Sequence, residues 1–287
     1  MGILFAFIAL FCWGLGDFLI QKTSRAIGKW AALFFITFFA VIILTPFVFQ
    51  DIVTLFTSRQ DVLLLLLASG VLLFAALFDF QALKEGKLSV IEPIMAFEVA
   101  ITAVLSALII GEYLTWQQMI FVITLIAGIF LVSTKSFHHL KNIKAEKGIL
   151  FGVLGTIGMG VTNFLFGVGS RQISPLMTNW FTNLFIALVT FIYLISKMKS
   201  GEILKDWRKD KALIIGVGLV DNGAWLAYSF STLYIPITIA TSISESYIAL
   251  AALLGMVFNG EKLKRHQFIG LFLAIISAII LAAITPD

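Results

Sequence analysis

The sequence predicts an all-α integral membrane protein whose ten transmembrane helices form two inverted five-helix repeats. Three observations lead to this fold class: an apolar composition, a one-sided distribution of basic residues and an internal repeat. Of the 287 residues, 60% are hydrophobic and only 13% are charged, whereas soluble proteins average about 25% charged residues. The chain therefore has the composition of a protein that lies mostly in lipid.

Apolar segments divide the chain into ten predicted spans, because a transmembrane helix needs about 20 mostly apolar residues. These segments cover residues 3–21, 30–49, 61–83, 88–110, 115–134, 147–170, 174–196, 212–235, 237–259 and 266–284. The first is expected to be a span and not a cleaved signal peptide, because no basic region precedes it. The residues between the spans leave no room for a soluble catalytic domain.

The basic residues predict the orientation of these spans. Eighteen of the 20 Lys and Arg residues fall on one side of the ten-span arrangement, and only Arg59 and Arg171 fall on the other. Loops rich in Lys and Arg face the cytoplasm. We therefore expect a multi-pass protein of the plasma membrane with both termini outside. The net charge of +4 comes from these basic loops, so no nucleic-acid partner is expected.

Two sequence echoes predict the internal repeat. DFLIQKTSRAI (17–27) resembles NFLFGVGSRQI (163–173), 146 residues later, and GEYLTWQQ (111–118) resembles GEKLKRHQ (260–267), 149 residues later. Each copy holds an odd number of spans, so the second copy enters the membrane from the opposite side, as in many secondary transporters. We expect a first repeat at 1–134, a cytoplasmic linker at 135–146 and a second, inverted repeat at 147–287.

These motifs resemble a known superfamily. The stretch FCWGLGDFL (11–19), the Gly-Glu pairs that end the fourth and ninth spans and the five-plus-five repeat resemble the drug/metabolite transporter superfamily. The closest likeness is to its EamA-like and rhamnose/glucose-transporter-like branches. The resemblance implies a ten-helix fold and metabolite transport. Many EamA-like members carry a proline midway along the fourth and ninth spans, where this chain has Glu98 and Tyr247.

Six carboxylates lie within the predicted spans, although a charge at the centre of a bilayer costs at least about 3 kcal/mol. They are Asp17, Asp79, Glu92, Glu98, Asp221 and Glu245. Intramembrane acids face a cavity or a partner and mark substrate, ion or proton routes. We therefore predict all six as residues of proton or ion coupling.

Depth in the membrane separates these acids into two groups of three. Three lie near the cytoplasmic boundary, and for these a structural alternative stays open. Asp17 would pair with Lys22, and Asp79 with Lys84 or Lys87, to anchor the ends of helices. The other three lie near the middle of their spans, where the two halves of a transporter meet around substrate.

Aromatic side chains accompany the central acids. Residues three, four and seven apart share a helix face, so Asp221, Trp225 and Tyr228 form one stripe, and Trp13 and Asp17 form another. Tyr228 has an alternative as an anchor at the membrane interface. The predicted substrate-binding residues are Trp13, Glu98, Asp221, Trp225, Glu245 and Tyr247.

Other polar and small residues have structural interpretations beside the functional one. The segment TIATSISESY (238–247) is too polar to face lipid, but Ser and Thr also join helices to one another. The glycines of the sixth span, such as Gly155 and Gly158, suit close helix packing. Gly111 and Glu112 are interpreted as a helix-ending turn.

The leading functional hypothesis is a secondary active transporter of a small metabolite such as an amino acid or amine, by proton-coupled exchange or export. Burial favours the protonated form of a carboxyl group, and a cationic substrate favours the ionised form, so proton and substrate would compete for one site. A sugar transporter of the same superfamily is the alternative within transport. An intramembrane enzyme or a scaffold is the alternative of another class, but no catalytic motif supports the enzyme.

The expected partners follow from this hypothesis. They are a small-molecule substrate, protons and membrane lipid, and the protein is expected to be a monomer or a homodimer. The single cysteine, Cys12, lies in the first span, so no intramolecular disulfide forms. No Cys/His cluster is present, so we expect neither a metal nor a cofactor.

Overall fold

A computed structural model describes residues 1–85, 93–134, 148–197, 200–259 and 262–286, and every regular element in these ranges is a helix. The helices of these ranges are α1 (Gly2–Ile27), α2 (Lys29–Val48), α3 (Ile52–Leu55), α4 (Arg59–Glu85), α5 (Glu98–Ile109), α6 (Trp116–Ser133), α7 (Ile149–Gln172), α8 (Pro175–Lys197), α9 (Ser200–Ser231), α10 (Ile237–Glu245), α11 (Tyr247–Asn259) and α12 (Arg265–Ile284). The predicted linker at 135–146 lies outside the described residues.

Seven of these helices are long and apolar enough to cross a membrane. They contain the segments Lys29–Val48, Arg59–Ala82, Trp116–Ser133, Ile149–Gln172, Pro175–Lys197, Asp210–Ser231 and Arg265–Ile284. Three further apolar helical segments, Gly2–Gly16, Pro93–Ile109 and Ile237–Leu253, are shorter than this length. The chain is thus an all-helical, multi-pass membrane protein, and the count of ten crossings stays a prediction.

Two of the predicted spans are interrupted near their middle. In the fourth span, a turn at Ala96 and Phe97 precedes α5. In the ninth span, α10 ends at Glu245 and α11 begins at Tyr247. Ser246 lies between them, and both its backbone N–H (3.2 Å) and its hydroxyl (2.6 Å) donate to the carbonyl of Ile243. A serine hydroxyl that bonds to nearby backbone competes with the regular helical pattern, which explains the interruption at this residue.

The long helix α9 is also irregular. It begins at Ser200, twelve residues before the predicted start of the eighth span, and Asp210 has non-helical dihedral angles (φ −116°, ψ 24°). The ring of Trp207 packs against Phe35 and Phe39 of α2 at centroid distances of 5.8 and 5.7 Å. The kink at Asp210 therefore separates the apolar part of α9 from a segment whose Trp207 packs against the first half of α2.

Four helix pairs form the framework of the bundle: α1 with α9, α4 with α7, α6 with α12, and α2 with α8. Glycines permit two of these contacts. A Cβ atom on Gly155 of α7 would overlap the carboxylate of Asp79 on α4, and one on Gly158 would lie 2.7 Å from the Cβ of Ala75. A Cβ atom on Gly128 of α6 would lie 2.6 Å from the backbone nitrogen of Ala274 on α12. The prediction that glycines of the sixth span serve close packing is confirmed.

The second sequence echo has a structural explanation in helix capping. In α6, the hydroxyl of Thr115 accepts from the backbone N–H of Gln118 (3.3 Å), whose side chain accepts from the N–H of Thr115 (3.0 Å). In α12, the side chain of Gln267 accepts from the N–H of Lys264 (3.1 Å). Each glutamine also reaches the end of the partner helix, since Gln118 donates to the hydroxyl of Thr285 (3.3 Å) and Gln267 to the carbonyl of Val132 (3.0 Å). The repeated glutamine therefore starts one helix and joins it to the end of the other.

Candidate functional site

An aromatic cluster lies between α1, α7, α9 and α11. The ring of Trp13 lies 5.2 Å from that of Trp225, 5.7 Å from that of Tyr228 and 6.5 Å from that of Tyr247, between centroids. Phe166 of α7 completes the cluster, 4.7 Å from Trp225. Trp13, Tyr228 and Phe166 are buried, whereas Trp225 and Tyr247 are half-buried. The structure thus brings together three of the predicted substrate-binding residues, Trp13, Trp225 and Tyr247.

Tyr228 connects this cluster to a group of polar side chains. Its side chain is 0% exposed, so the alternative interpretation as an anchor at the membrane interface is wrong. Its hydroxyl donates to the backbone carbonyl of Asn163 (2.8 Å) and lies 2.9 Å from the hydroxyl of Thr241. The side-chain amide of Asn163 in turn donates to Oε1 of Glu245 (3.3 Å). Aromatic surfaces and a carboxylate therefore meet where the ninth span is interrupted.

The polar face of α10 is buried and mostly bonded within its own helix. Thr241 donates to the carbonyl of Ile237 (2.8 Å), and Ser242 donates to that of Thr238 (2.7 Å). Ser244 instead donates across to the carbonyl of Ala6 on α1 (3.3 Å). These bonds support the structural interpretation of the serines and threonines as contacts within and between helices. Glu245 is the ionisable residue of this face.

The other predicted acids with described side chains lie on three further helices, α5, α9 and α4. Glu98 is buried at the start of α5, whose Thr102 donates to the carbonyl of Gly160 on α7 (2.9 Å). Asp221 is buried at the contact of α9 with α1, opposite Gly16. Asp79 is buried at the α4–α7 contact, against the backbone at Gly155, and not beside the aromatic cluster.

Two predicted coupling residues cannot be compared with this arrangement. Glu92 and the side chain of Asp17 lie outside the described part of the chain. No group of three His, Cys, Asp or Glu residues that could hold a metal ion occurs among the described residues.

An ion pair ties four segments together at one end of the bundle, which we call the Arg171 end. Arg171, in the last turn of α7, pairs with Glu112 (Nη1 to Oε2, 2.8 Å). It also donates from Nε to the carbonyl of Thr232 (2.6 Å) and from Nη2 to that of Ile235 (2.9 Å). The second oxygen of Glu112 accepts from the N–H of Ile237, the first residue of α10 (2.5 Å). This arrangement holds the start of α10 against α7 and the α5–α6 loop.

Gly111 places Glu112 for this contact. Its φ of +67° is a left-handed conformation that glycine adopts easily, so the predicted helix-ending turn at this residue is confirmed. The sequence pattern predicts Glu112 only as part of that turn and does not predict its contact with Arg171. The two sequence echoes contain a signal for this contact. Both copies carry a Ser-Arg pair and a Gly-Glu pair, and ionisable residues that recur at matching positions indicate that they contact each other.

Asn163 and Phe166 were also missed as site residues. Asn163 stands in the first echo at the position that Asp17 holds in the other copy. A polar residue that aligns with a predicted coupling acid was therefore the signal for this position.

A groove of about 490 Å³ lies outside the site, between α6 and α12. Its lining is almost wholly apolar and includes Phe121, Phe268 and Phe272, two of which are exposed on the outer surface of the bundle. Such a lining suits lipid chains and offers no charged group to a polar metabolite. The aromatic and acidic cluster is therefore the better candidate for substrate.

The chain is similar to a family of transporters, to individual proteins and to a solved structure. A model of the EamA-like transporter family matches residues 1–134 and 146–283. A probable glucose uptake protein, GlcU, of Staphylococcus aureus is 26% identical over 192 residues, which are 64% of this chain and 63% of that protein. The match thus spans less than two thirds of that relative. An uncharacterized protein of Methanocaldococcus jannaschii is 38% identical over 77 residues, or 26% of this chain and 56% of that protein. A solved crystal structure superimposes with a TM-score of 0.75 over 99% of this chain and 96% of its own, at 14% identity.

Proposed function

We propose, given that this chain belongs to the EamA-like transporter family, that it is a secondary transporter which moves a small hydroxylated metabolite, most simply a sugar, with protons. The observation that carries this proposal is the meeting of the aromatic cluster with the Asn163–Glu245 pair at the interruption of the ninth span. Discontinuous spans near the bilayer midplane form the substrate sites of many secondary transporters.

The chemistry of the cluster suits a sugar ring. The C–H faces of a sugar are apolar and pack against aromatic faces, while its hydroxyls bond to carboxylate and amide groups. Trp225 and Tyr247 are half-buried and offer the faces, and Glu245, which accepts a hydrogen bond from Asn163, offers the carboxylate. The likeness to a probable glucose uptake protein supports the same substrate class.

An amine or amino acid is the second candidate substrate. Aromatic faces attract cations, and Trp13 and Trp225 present such faces within the same cluster as Tyr228, whose hydroxyl is bonded to the backbone of Asn163. A cation there would be balanced by the carboxylate of Glu245. In that case the substrate and the proton would compete for Glu245, and transport would be exchange.

Two inverted repeats are proposed as the framework for this activity. Exchange of the first five spans (α1, α2, α4, α5, α6) with the last five (α7, α8, α9, α10–α11, α12) converts the α1–α9 pair into the α7–α4 pair. It leaves the α2–α8 and α6–α12 pairs unchanged, so the packing is compatible with a pseudo-two-fold axis. The family model matches two segments whose bounds are close to those of the predicted repeats. The M. jannaschii relative, about 140 residues long from its matched share, has the size of one repeat.

The orientation and the coupling ion complete the proposal. The distribution of basic residues supports termini outside and the Arg171 end at the outer surface. Glu245 is proposed as the main coupling residue, because a half-buried carboxyl group takes up or loses a proton when its polar partners change. No enzymatic activity is proposed, since the family consists of transporters.

The test is a flux assay with purified protein in liposomes. Labelled hexoses and labelled amino acids are supplied with and without a pH gradient, and protein-free liposomes are the control. We expect gradient-driven accumulation of a hexose that Glu245→Gln abolishes. Accumulation of amino acids alone would favour the second candidate, and no flux of either class by folded protein would refute both.

A further inference from the structure

Asn163 occupies the point where α7 meets the two interrupted spans. It is 1% exposed, and glycines flank it on the same helix. A Cβ atom on Gly160 would lie 2.9 Å from the carbonyl oxygen of Glu98, and one on Gly167 would lie 2.6 Å from the side chain of Ile237. α5 and α10 therefore approach the backbone of α7 closely on both sides of Asn163, so the position of its side chain is well defined.

The backbone of Asn163 is held as well. Its carbonyl accepts the hydroxyl of Tyr228, which also contacts Thr241. Thr241 lies one turn before Glu245 on α10, so the backbone carbonyl of Asn163 is linked through Tyr228 to the same helix that its side chain reaches at Glu245. The amide of Asn163 is thereby aimed at the carboxyl group of Glu245.

Glu245 stands in a place that disfavours a negative charge. It is the last residue of α10, where backbone carbonyls lack helical partners and the helix dipole is negative. An N–H donor offsets this effect, and Asn163 supplies one at 3.3 Å. The donor therefore matters most when Glu245 is ionised.

An amide suits this place better than a carboxylate would, because it both donates and accepts. Its N–H bonds to an ionised carboxylate, and after rotation its oxygen accepts from a protonated carboxyl group. Aspartate, the residue that the first repeat has at the matching position, would repel an ionised Glu245. We propose that Asn163 is a positioning residue that keeps the carboxyl group of Glu245 aimed at the site in both of its protonation states. This inference rests on the proposed function in taking Glu245 as a coupling residue.

Other ionisable groups surround the same helix. The described groups on the helices that pack against α10 include Cys12 on α1, Glu98 on α5, Arg171 on α7, Asp221 and Tyr228 on α9, Tyr247 on α11 and His266 on α12. The side chain of Asp17, on α1, lies outside the described residues. Arg171 is paired with Glu112, and Tyr228 is hydrogen-bonded to Asn163 and Thr241. Asn163, a neutral donor, is hydrogen-bonded to Glu245.

The experiment replaces this donor and follows the pH dependence of transport. Asn163→Asp puts a second carboxyl group within hydrogen-bond distance of Glu245, and two such groups share one proton. We expect the pH profile of transport in liposomes to move to higher pH by about one unit or more. Asn163→Ala removes the donor, and we expect the maximal rate to fall about tenfold with substrate binding nearly unchanged.

Asn179→Asp is the matched control. Asn179 is equally buried on α8, where it donates to the carbonyl of Pro175 and to Ser229, outside the proposed site. It tests whether any buried Asn-to-Asp change alters the pH profile, and we expect an unchanged profile. If Asn163→Asp does not fold, the profile and rate of Asn163→Ala decide the question.

The outcomes separate this inference from the proposed function. If Glu245→Gln abolishes the pH dependence while both Asn163 variants keep the wild-type profile and rate, Asn163 is not a positioning residue. If Glu245→Gln keeps the pH dependence, the proposed coupling role of Glu245 fails first. An equal shift in Asn179→Asp would overturn the inference too.

Discussion

Removal of Glu112 tests whether the ion pair at the Arg171 end stabilises the bundle. Its side chain is 15% exposed and that of Arg171 is 34% exposed, so solvent screens the pair in part. Fully exposed pairs contribute about 0–1 kcal/mol, and breaking a buried pair costs about 3–5 kcal/mol. For Glu112→Gln, which loses the charge but keeps an oxygen for the N–H of Ile237, we expect a loss of about 1–2 kcal/mol.

Glu112→Ala loses that oxygen as well. The N–H of Ile237 is the first of α10, and loss of a capping acceptor costs about 0.5–2 kcal/mol. The alanine variant should therefore be less stable than wild type by about 2–4 kcal/mol in the free energy of unfolding. The difference between the two variants measures the contribution of the cap alone.

The measurement is equilibrium unfolding of purified protein in detergent. Asp61→Asn is the control, because Asp61 accepts an exposed bond from Gln172 (2.7 Å) at the same end, and we expect a change within about 0.5 kcal/mol. Equal stability of the alanine and glutamine variants would show that the cap contributes nothing. A glutamine variant as stable as wild type would refute the stabilising ion pair.

Three further predictions follow from the packing, the aromatic cluster and the charge distribution. Gly155→Ala should lower the thermal stability in detergent because of the overlap with Asp79, whereas Gly70→Ala, which meets no atom within 4 Å, should be neutral or stabilising by up to about 1 kcal/mol; equal effects would contradict the packing argument. Trp225→Ala should weaken transport without loss of folded protein, while Trp116→Ala, exposed at the start of α6, should not, and unchanged kinetics would make Trp225 a packing residue. A cysteine at Leu140 should resist an impermeant thiol reagent in intact cells, and ready labelling would overturn the predicted orientation.

Local patterns in the sequence predicted the helices and part of the site. Apolar runs of suitable length indicate spans in any chain, and Trp225 and Tyr228 share a face because they are three residues apart on α9. The contact of both with Trp13 required the α1–α9 pairing, which no periodicity reveals. The interruption at Ser246 depends on a serine hydroxyl bonding to Ile243, and serines within uninterrupted helices have the same local sequence character.

The depth of an acid in the membrane predicts its neighbours less well than the helix face on which it lies. Asp79 and Glu245 are both intramembrane acids, yet Asp79 lies against Gly155 while Glu245 meets Asn163. Which neighbour an acid meets depends on the rotation of its helix within the bundle. Contacts between residues far apart in the chain, such as Arg171 and Glu112, determine that rotation, and a single sequence reveals them only through its repeats.

The short length of α10 has a consequence for motion on slow timescales. Nine residues extend roughly 13 Å, less than half of a hydrocarbon core about 30 Å thick. Few of its backbone bonds must therefore break for it to open, although its side chains are almost all buried. We expect so short a segment to open locally at a free energy below that of global unfolding. Amide hydrogens of α10 should consequently exchange with solvent sooner than those of α7, and a bound substrate that contacts Glu245 would slow them first.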